Sequence, residues 1–309
     1  MQVTAAMVKE LREMTGAGMS ACKNALVEAN GDVKRANEIL REKGLAAAAK
    51  KAGRVAAEGL VMAAVSPDRK KGALVEVNSE TDFVAKNDEF ITFVQNMAKQ
   101  ALESSAETPE ALLEEKWVAD SSQTAKDALT NKIATIGENL GLRRFARFNA
   151  TDGSAVVEYI HGGGRIGAML LLSAPEINDA VLEAGRNVCM QIASMSPQFL
   201  SRDDVPAEHL KNERDFLLKQ ALDENKTAAK PKPENIITNM VEGRLSKSMK
   251  EICLLDQEYV KDGEFTVASY LKSVHPDLKI TSFTRYEKGE GIEKKETDFA
   301  AEVAEAMKG

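Results

Sequence analysis

Ala73-Leu74-Val75-Glu76-Val77-Asn78-Ser79-Glu80-Thr81-Asp82-Phe83-Val84-Ala85-Lys86 carries the change of texture on which the reading of this chain turns. Ala73–Asn78 is a short apolar run bounded by polar residues, the pattern of a strand. Asn87-Asp88-Glu89 then opens a helix in which Phe90, Val94, Met97 and Ala101 recur at helical spacing. Thr81–Lys86 is therefore a strand-to-helix connection, and it carries Asp82 beside Phe83. An aromatic ring ordinarily goes to the core and a carboxylate to water. Two arrangements fit. Phe83 can pack inward while Asp82 caps the next helix, or the pair can stand at the tip of the turn as a wedge, a stiff ring with a charge beside it.

Outward from this stretch, Leu60–Val65 pairs naturally with Ala73–Asn78 across Ser66-Pro67-Asp68-Arg69-Lys70-Lys71-Gly72, a hairpin with a basic, solvated tip. A further helix runs from about Ala125 to Ile136. Leu142–Phe148, Val156–Ile160 and Ile166–Leu172 read as three strands in a row, and Ile177–Ser194 as a helix. Ile280–Tyr286 is a late strand that would return to the second sheet. Strands and helices in this order imply an α+β core of two similar halves.

The first 44 residues read as three short helices. Thr4 can cap the first, with Val8, Leu11 and Met14 on one face and Gly16 as its stop. The second carries Cys22, Leu26 and Ala29, and Asp32 can cap a third with Val33, Ala36 and Leu40 inward, ended by Gly44. Leu45–Gly59 is rich in Ala, Lys and Gly and reads as a tether, helical in part. Past Ser196-Pro197, Glu208–Asp223 and Glu234–Leu254 carry narrow apolar stripes (Leu210, Leu217 and Ala221; Ile237, Val241, Leu245 and Ile252) around a polar break at Asn225–Pro233. That is the pattern of an antiparallel coiled-coil hairpin, each arm roughly 25–30 Å long. Glu296–Met307 reads as a terminal amphipathic helix. Thr297-Asp298-Phe299-Ala300-Ala301 echoes the central motif but is too short to count as a repeat.

The expected fold is thus α+β: an amino-terminal three-helix module over 1–54, a two-part core with antiparallel strands, and a carboxy-terminal helical module over 287–309. The core divides into a first half at 55–140 and a second at 141–286, with the coiled-coil hairpin inserted at about 197–254.

Composition narrows the function. A chain of 309 residues, 43% hydrophobic and 29% charged, suits a soluble globular protein of two or three domains. A net charge of −7 argues against direct nucleic-acid binding, which calls for a basic excess. Cys22, Cys189 and Cys253 are odd in number and widely spaced, as are His161, His209 and His275. This fits neither a disulfide framework nor a metal site, and points to a reducing, cytoplasmic location without metal or cofactor. No apolar run approaches membrane-spanning length, and Met1-Gln2-Val3-Thr4 leads straight into an amphipathic helix pattern with no signal or transit segment.

Some motifs suggest other chemistry. Gly16-Ala17-Gly18-Met19-Ser20-Ala21 matches the letters of a dinucleotide fingerprint, but a helix precedes it where the fingerprint needs a strand. It reads better as a tight turn that leaves Met19, an adaptable contact residue, exposed at a helix start. His161-Gly162-Gly163-Gly164 is shaped like an esterase oxyanion loop. A hydrolase built around His161 would need a Gly-x-Ser-x-Gly elbow, which the chain lacks, so a glycine-rich hairpin is the simpler reading. No phosphate-binding loop is present, so any handling of nucleotides would run through a partner. Lys50-Lys51 and Arg69-Lys70-Lys71 are most simply solvated surface, and the coiled-coil hairpin suits a scaffold or a docking arm equally.

Leu11-Arg12-Glu13-Met14-Thr15-Gly16-Ala17-Gly18-Met19 with Cys22-Lys23-Asn24-Ala25-Leu26, Glu76-Val77-Asn78 followed by Thr81–Lys86, and Ile136-Gly137-Glu138-Asn139 with Arg143-Arg144 together resemble the elongation factor Ts family. His161 with Arg165-Ile166-Gly167, Met240-Val241-Glu242-Gly243-Arg244 and Gly289-Glu290-Gly291-Ile292-Glu293-Lys294 extend the resemblance over nearly the whole chain. Ala21 departs from it, standing where the family usually has an acidic residue. The resemblance implies nucleotide exchange on the GTPase elongation factor Tu, nucleotide-free or GDP-bound, without covalent chemistry. Its amino-terminal module, of the UBA-like kind, would grip the GTPase through Leu11, Arg12, Met19 and Ser20. Thr81, Asp82, Phe83 and Val84 would push between helices near the bound magnesium, distorting the metal site and phosphate loop. Ile136, Gly137, Glu138 and His161 would contact the phosphate-loop side. A non-catalytic scaffold or chaperone-like adaptor is the alternative from another class.

Overall fold

The structure is a computed structural model and describes residues 3–227 and 230–293. The terminal helix read at Glu296–Met307 and the motif echo at Thr297 lie outside the described residues.

Three helices open the chain. In α1 (Ala5–Thr15) the Thr4 hydroxyl accepts the Met7 amide, and Gly16, at φ 68°, ends the helix in the left-handed conformation. Helix α2 (Met19–Glu28) follows, and Asp32 caps α3 (Val33–Lys51) by accepting the amides of Lys34 and Arg35. Val8, Leu11, Cys22, Ala25, Leu26, Ala36 and Ile39 form the small core between them. Helix α3 does not stop at Gly44. It continues to Lys51, because the alanine-rich stretch after Gly44 is strongly helix-forming and outweighs the roughly 1 kcal/mol that one glycine costs. Gly44 is buried against Thr130 and Ala134 of α7 (Ala125–Ile136), and Ala48 packs on the core below. Arg41 Nη2 donates to both carboxylate oxygens of Asp127 at 2.7 and 2.8 Å. The first part of the expected tether, 45–51, is therefore the last turns of a helix docked on the core, and only 52–57 form a non-helical connection.

The first sheet has the order β1-β2-β5, all antiparallel: β1 (Glu58–Val65), β2 (Lys71–Ser79) and β5 (Gly141–Asn149). Strand β5 was expected in the second half of the core. Its register with β2, from Lys71 opposite Asn149 to Asn78 opposite Gly141, places it in the first sheet. Helix α5 (Asp88–Glu103) lays Phe90, Phe93, Val94, Met97 and Ala101 on this sheet, with α7 and α6 (Pro109–Glu114) beside it. A small hairpin, β3 (Lys116–Trp117) with β4 (Asp120–Thr124), adds Trp117, whose ring lies 5.3 Å from that of Phe93. The second sheet has the order β6-β7-β8: β6 (Ser154–His161), β7 (Ile166–Ser173) and the returning β8 (Lys279–Glu287). It is covered by α8 (Asp179–Met195) and α11 (Val267–Val274). Helices α6 and α11 and the β3–β4 hairpin were not anticipated.

Val61, Leu74, Val156 and Met169 form a shared cluster where the sheets pack together. A Cβ on Gly72 would lie 2.4 Å from Val156 Cγ1, and one on Gly167 2.5 Å from Val61 Cγ1, so glycine is what permits this approach. Helices α9 (Ala207–Thr227) and α10 (Glu234–Ile252) form the expected antiparallel hairpin. Leu217, Ala221, Ile237, Val241, Leu245 and Met249 fill its seam, and Arg214–Glu242 at 2.8 Å and Arg244–Glu224 at 2.7 Å tie the arms. Among the described residues no helix is long and apolar enough to cross a membrane.

Candidate functional site

Thr81–Lys86 forms a one-turn helix, α4 (Asp82–Ala85), held by a cap at either end. Thr81 Oγ1 accepts the Val84 amide at 3.4 Å. Asn87 Oδ1 accepts the amides of Glu89 at 2.8 Å and Phe90 at 3.4 Å, starting α5 at once. Ala85 is buried and Val84 packs on the first core, which fixes the inner side of the turn. Phe83 points the other way and is 80% exposed. The open alternative thus resolves toward the exposed ring. Leaving a phenyl group in water forgoes about 1.5–3 kcal/mol of burial, so its exposure calls for a reason outside folding. Asp82 pairs with Lys86 Nζ at 2.6 Å, one helical turn on, and Lys86 lies 6.0 Å from the Phe83 ring centre. The hydrogen bond from Lys86 holds the Asp82 carboxyl below its ordinary pKa.

The turn is braced from behind. Helix α7 ends at Gly137, at φ 88°, a conformation that favours glycine, and the chain then delivers Glu138 to the start of α4. Glu138 Oε2 accepts the amides of Glu80 at 3.1 Å and Thr81 at 3.0 Å, while Oε1 accepts the Thr81 hydroxyl at 2.6 Å. Glu80 Oε1 in turn accepts the Asn139 amide at 2.6 Å. Gly137 is exposed, and Ile136 is half-buried against the first core.

His161 ends β6, exposed, with its Nδ1 3.0 Å from the Tyr159 hydroxyl. Gly162, Gly163 and Gly164 all have positive φ and turn the chain into β7. The Gly164 carbonyl accepts the Val61 amide at 2.8 Å, docking this hairpin on β1. Glu58 faces Ser79 in the β1–β2 register and Val61 faces Glu76, so the His161 hairpin, the Ile136–Glu138 loop and the Thr81–Val84 turn leave from the same end of the sheets.

The amino-terminal candidates divide. Arg12 and Ser20 are exposed, and Met19 is 50% exposed. With Val3, Ala5 and Val8, Met19 and Ser20 border a shallow depression of about 330 Å³. Leu11 does not belong with them. Its side chain is fully buried, because Val8 and Leu11, three apart, form the inward stripe of α1. Among the described residues no group of His, Cys, Asp and Glu has metal-binding geometry.

A profile of the family described as Elongation factor TS matches residues 80–290. An elongation factor Ts of Clostridium perfringens is 53% identical over 306 residues, covering 98% of this chain and 98% of that protein. One of Clostridium botulinum is 48% identical over 309 residues, covering 99% and 98%. The chain belongs to the elongation factor Ts family. The elongation factor Ts match begins at Glu80, whose amide Glu138 holds, and ends at Glu290, whose carboxylate lies 3.1 Å from Arg144. Lys86, Glu80 and Asn139 were missed as parts of the site. Lys86 had a signal in its i,i+4 spacing from Asp82. The contact of Glu138 with Thr81 spans 57 residues and has no local signature.

Proposed function

We propose that this chain is a guanine nucleotide exchange factor that promotes GDP release from the GTPase elongation factor Tu. The single observation that carries the reading is Phe83, an aromatic 80% exposed on a turn capped at both ends, within a chain of the elongation factor Ts family. A ring presented this rigidly loses little entropy when it enters a partner. Asp82 and Phe83 insert beside the magnesium site of the GTPase. Magnesium holds near-ideal octahedral geometry, so a small displacement of its ligands is costly. Arg12, Met19 and Ser20 grip the nucleotide domain, and Ile136, Gly137 and His161 contact the phosphate-loop side. The energetics are those of linkage. The factor binds the nucleotide-free GTPase more tightly than its GDP form, and so weakens GDP binding by the same factor. No covalent bond is made or broken.

The test is a stopped-flow trace of fluorescent GDP leaving elongation factor Tu with this protein added in substoichiometric amount. Turnover of more than one GTPase per factor supports exchange. Stoichiometric binding without acceleration supports a scaffold instead.

A further inference from the structure

We infer that Glu138 is a positioning residue for the Asp82–Phe83 wedge rather than a contact of its own. The inference rests on the exchange reading above and goes one step deeper into the same site.

A carboxylate has about four acceptor positions. Glu138 uses both oxygens on three donors of one short segment: the Glu80 and Thr81 amides and the Thr81 hydroxyl. Little of the group is left to offer a partner. The Thr81 hydroxyl gives its proton to Glu138 and so turns a lone pair toward the Val84 amide, which makes Thr81 the cap of α4. A four-residue helix does not hold itself, since its first turn is the costly one to form. The brace is reciprocal. Glu80 Oε1 takes the Asn139 amide, and Asn139 Nδ2 donates to the Arg54 carbonyl at 2.8 Å. Arg54 stands 3.5 Å from Glu80. Two loops far apart in sequence are thereby locked into one piece, with the exposed ring on its outer side. Without Glu138 the ring remains but its direction is lost, and binding must then supply the ordering.

The decisive experiment is a double-mutant cycle on the full chain with Glu138→Gln and Phe83→Ala, read as the maximal rate of GDP release from elongation factor Tu. The amide keeps the volume of the side chain but cannot accept all three donors. Glu138→Gln is expected to lower the maximal rate about fivefold to tenfold, which is the scale of one lost charge-assisted bond. In the Phe83→Ala background the same change is expected to cost less than about twofold, because there is no ring left to aim. Full multiplication of the two losses would overturn the inference and return Glu138 to direct contact. So would a maximal rate unchanged by Glu138→Gln. Amide hydrogen exchange gives a readout independent of the GTPase. The Glu80 and Thr81 amides are expected to be protected in the wild type and to open in Glu138→Gln, with the α5 amides unchanged. Absence of wild-type protection would overturn the brace whatever the exchange assay shows. Protection without any acceleration of GDP release would instead overturn the exchange reading and leave the brace standing.

Discussion

The Gly289 amide donates a 2.8 Å hydrogen bond to the buried Glu76 carboxylate across 213 residues of sequence. The same carboxylate accepts Asn78 Nδ2 at 3.1 Å, Arg143 Nη1 at 3.0 Å and Arg144 Nε at 2.6 Å. Arg144 also stacks over the Tyr286 ring at 4.2 Å. One fully buried charge at the centre of the first sheet thus gathers β5 and the turn after β8. It joins the two halves of the core close to the end that carries the candidate site.

Glu76→Ala is expected to destabilise the fold by about 3–5 kcal/mol, the scale of breaking a buried ion pair on one side. Burial works to raise the Glu76 pKa, but the hydrogen bonds from Gly289, Arg143, Asn78 and Arg144 outweigh it and hold the carboxyl below its ordinary value. Its contribution is therefore complete above the unfolded carboxylate pKa of about 4.3 and is lost as pH falls through the lower folded value. Urea denaturation of wild type and mutant from pH 7 down to pH 3 checks this. The gap between the curves should narrow only at the acid end.

Phe83→Ala separates stability from function. Its ring is 80% exposed, so the melting temperature should hold, with a change in stability within about 0.5 kcal/mol. Catalysed GDP release should slow by roughly 30- to 1,000-fold, which is the 2–4 kcal/mol scale of a truncated interface anchor. Melting curve and release rate are measured on the same preparation. A large drop in melting temperature would return Phe83 to the core.

Leu11→Ala and Met19→Ala should behave oppositely. Leu11 is fully buried in a three-helix module with a small core, so its truncation should cost about 2–5 kcal/mol locally. Hydrogen exchange should speed in α1 to α3 while the sheets stay protected. Met19, half exposed at the first turn of α2, should leave exchange protection unchanged and weaken binding to elongation factor Tu. Titration of the complex by calorimetry reads the second effect.

Local periodicity explains what was legible. Phe90, Val94, Met97 and Ala101 repeat along one helix face and all are buried, and the hairpin stripes at Leu217, Ala221, Ile237, Val241 and Leu245 meet as their spacing implies. Pairing across long separations was not legible. Leu142–Phe148 reads as a strand, but nothing in those residues says that its neighbour is β2 rather than β6. The alanines that carry helix α3 past Gly44 were in view, but that Gly44 is buried against α7 is a tertiary fact no window around it contains. For Phe83 the pattern permitted both directions. Backbone geometry settles it, since Val84 and Ala85 already occupy the inner side of a single turn. Glu138 entered only through the family resemblance, as a contact on the phosphate-loop side, and nothing beside it in sequence signals its true donors. Its acceptors are taken by residues 57 and 58 positions away.

His161→Ala should reduce exchange moderately, by about 1 kcal/mol or roughly fivefold, as for a partly exposed contact. The side chain stands at an exposed hairpin corner against the Tyr159 side chain, so the melting temperature should not move. A large loss of stability would make His161 a structural residue of the β6–β7 turn.

Magnesium tests how the wedge works. If Asp82 and Phe83 act by dislodging the metal, the metal's contribution to GDP binding is what they remove. Chelating magnesium removes the same contribution beforehand. Basal release from elongation factor Tu should then rise, and the wild-type advantage over Phe83→Ala should shrink toward unity. If the wedge acts instead on the phosphate loop or the guanine pocket, the two effects are independent and their free energies add. The ratio of wild-type to mutant release rates would then be the same with chelator as with millimolar magnesium. That ratio, measured at saturating factor in both conditions, decides the matter. An unchanged ratio would remove metal displacement from the mechanism even where exchange itself is confirmed.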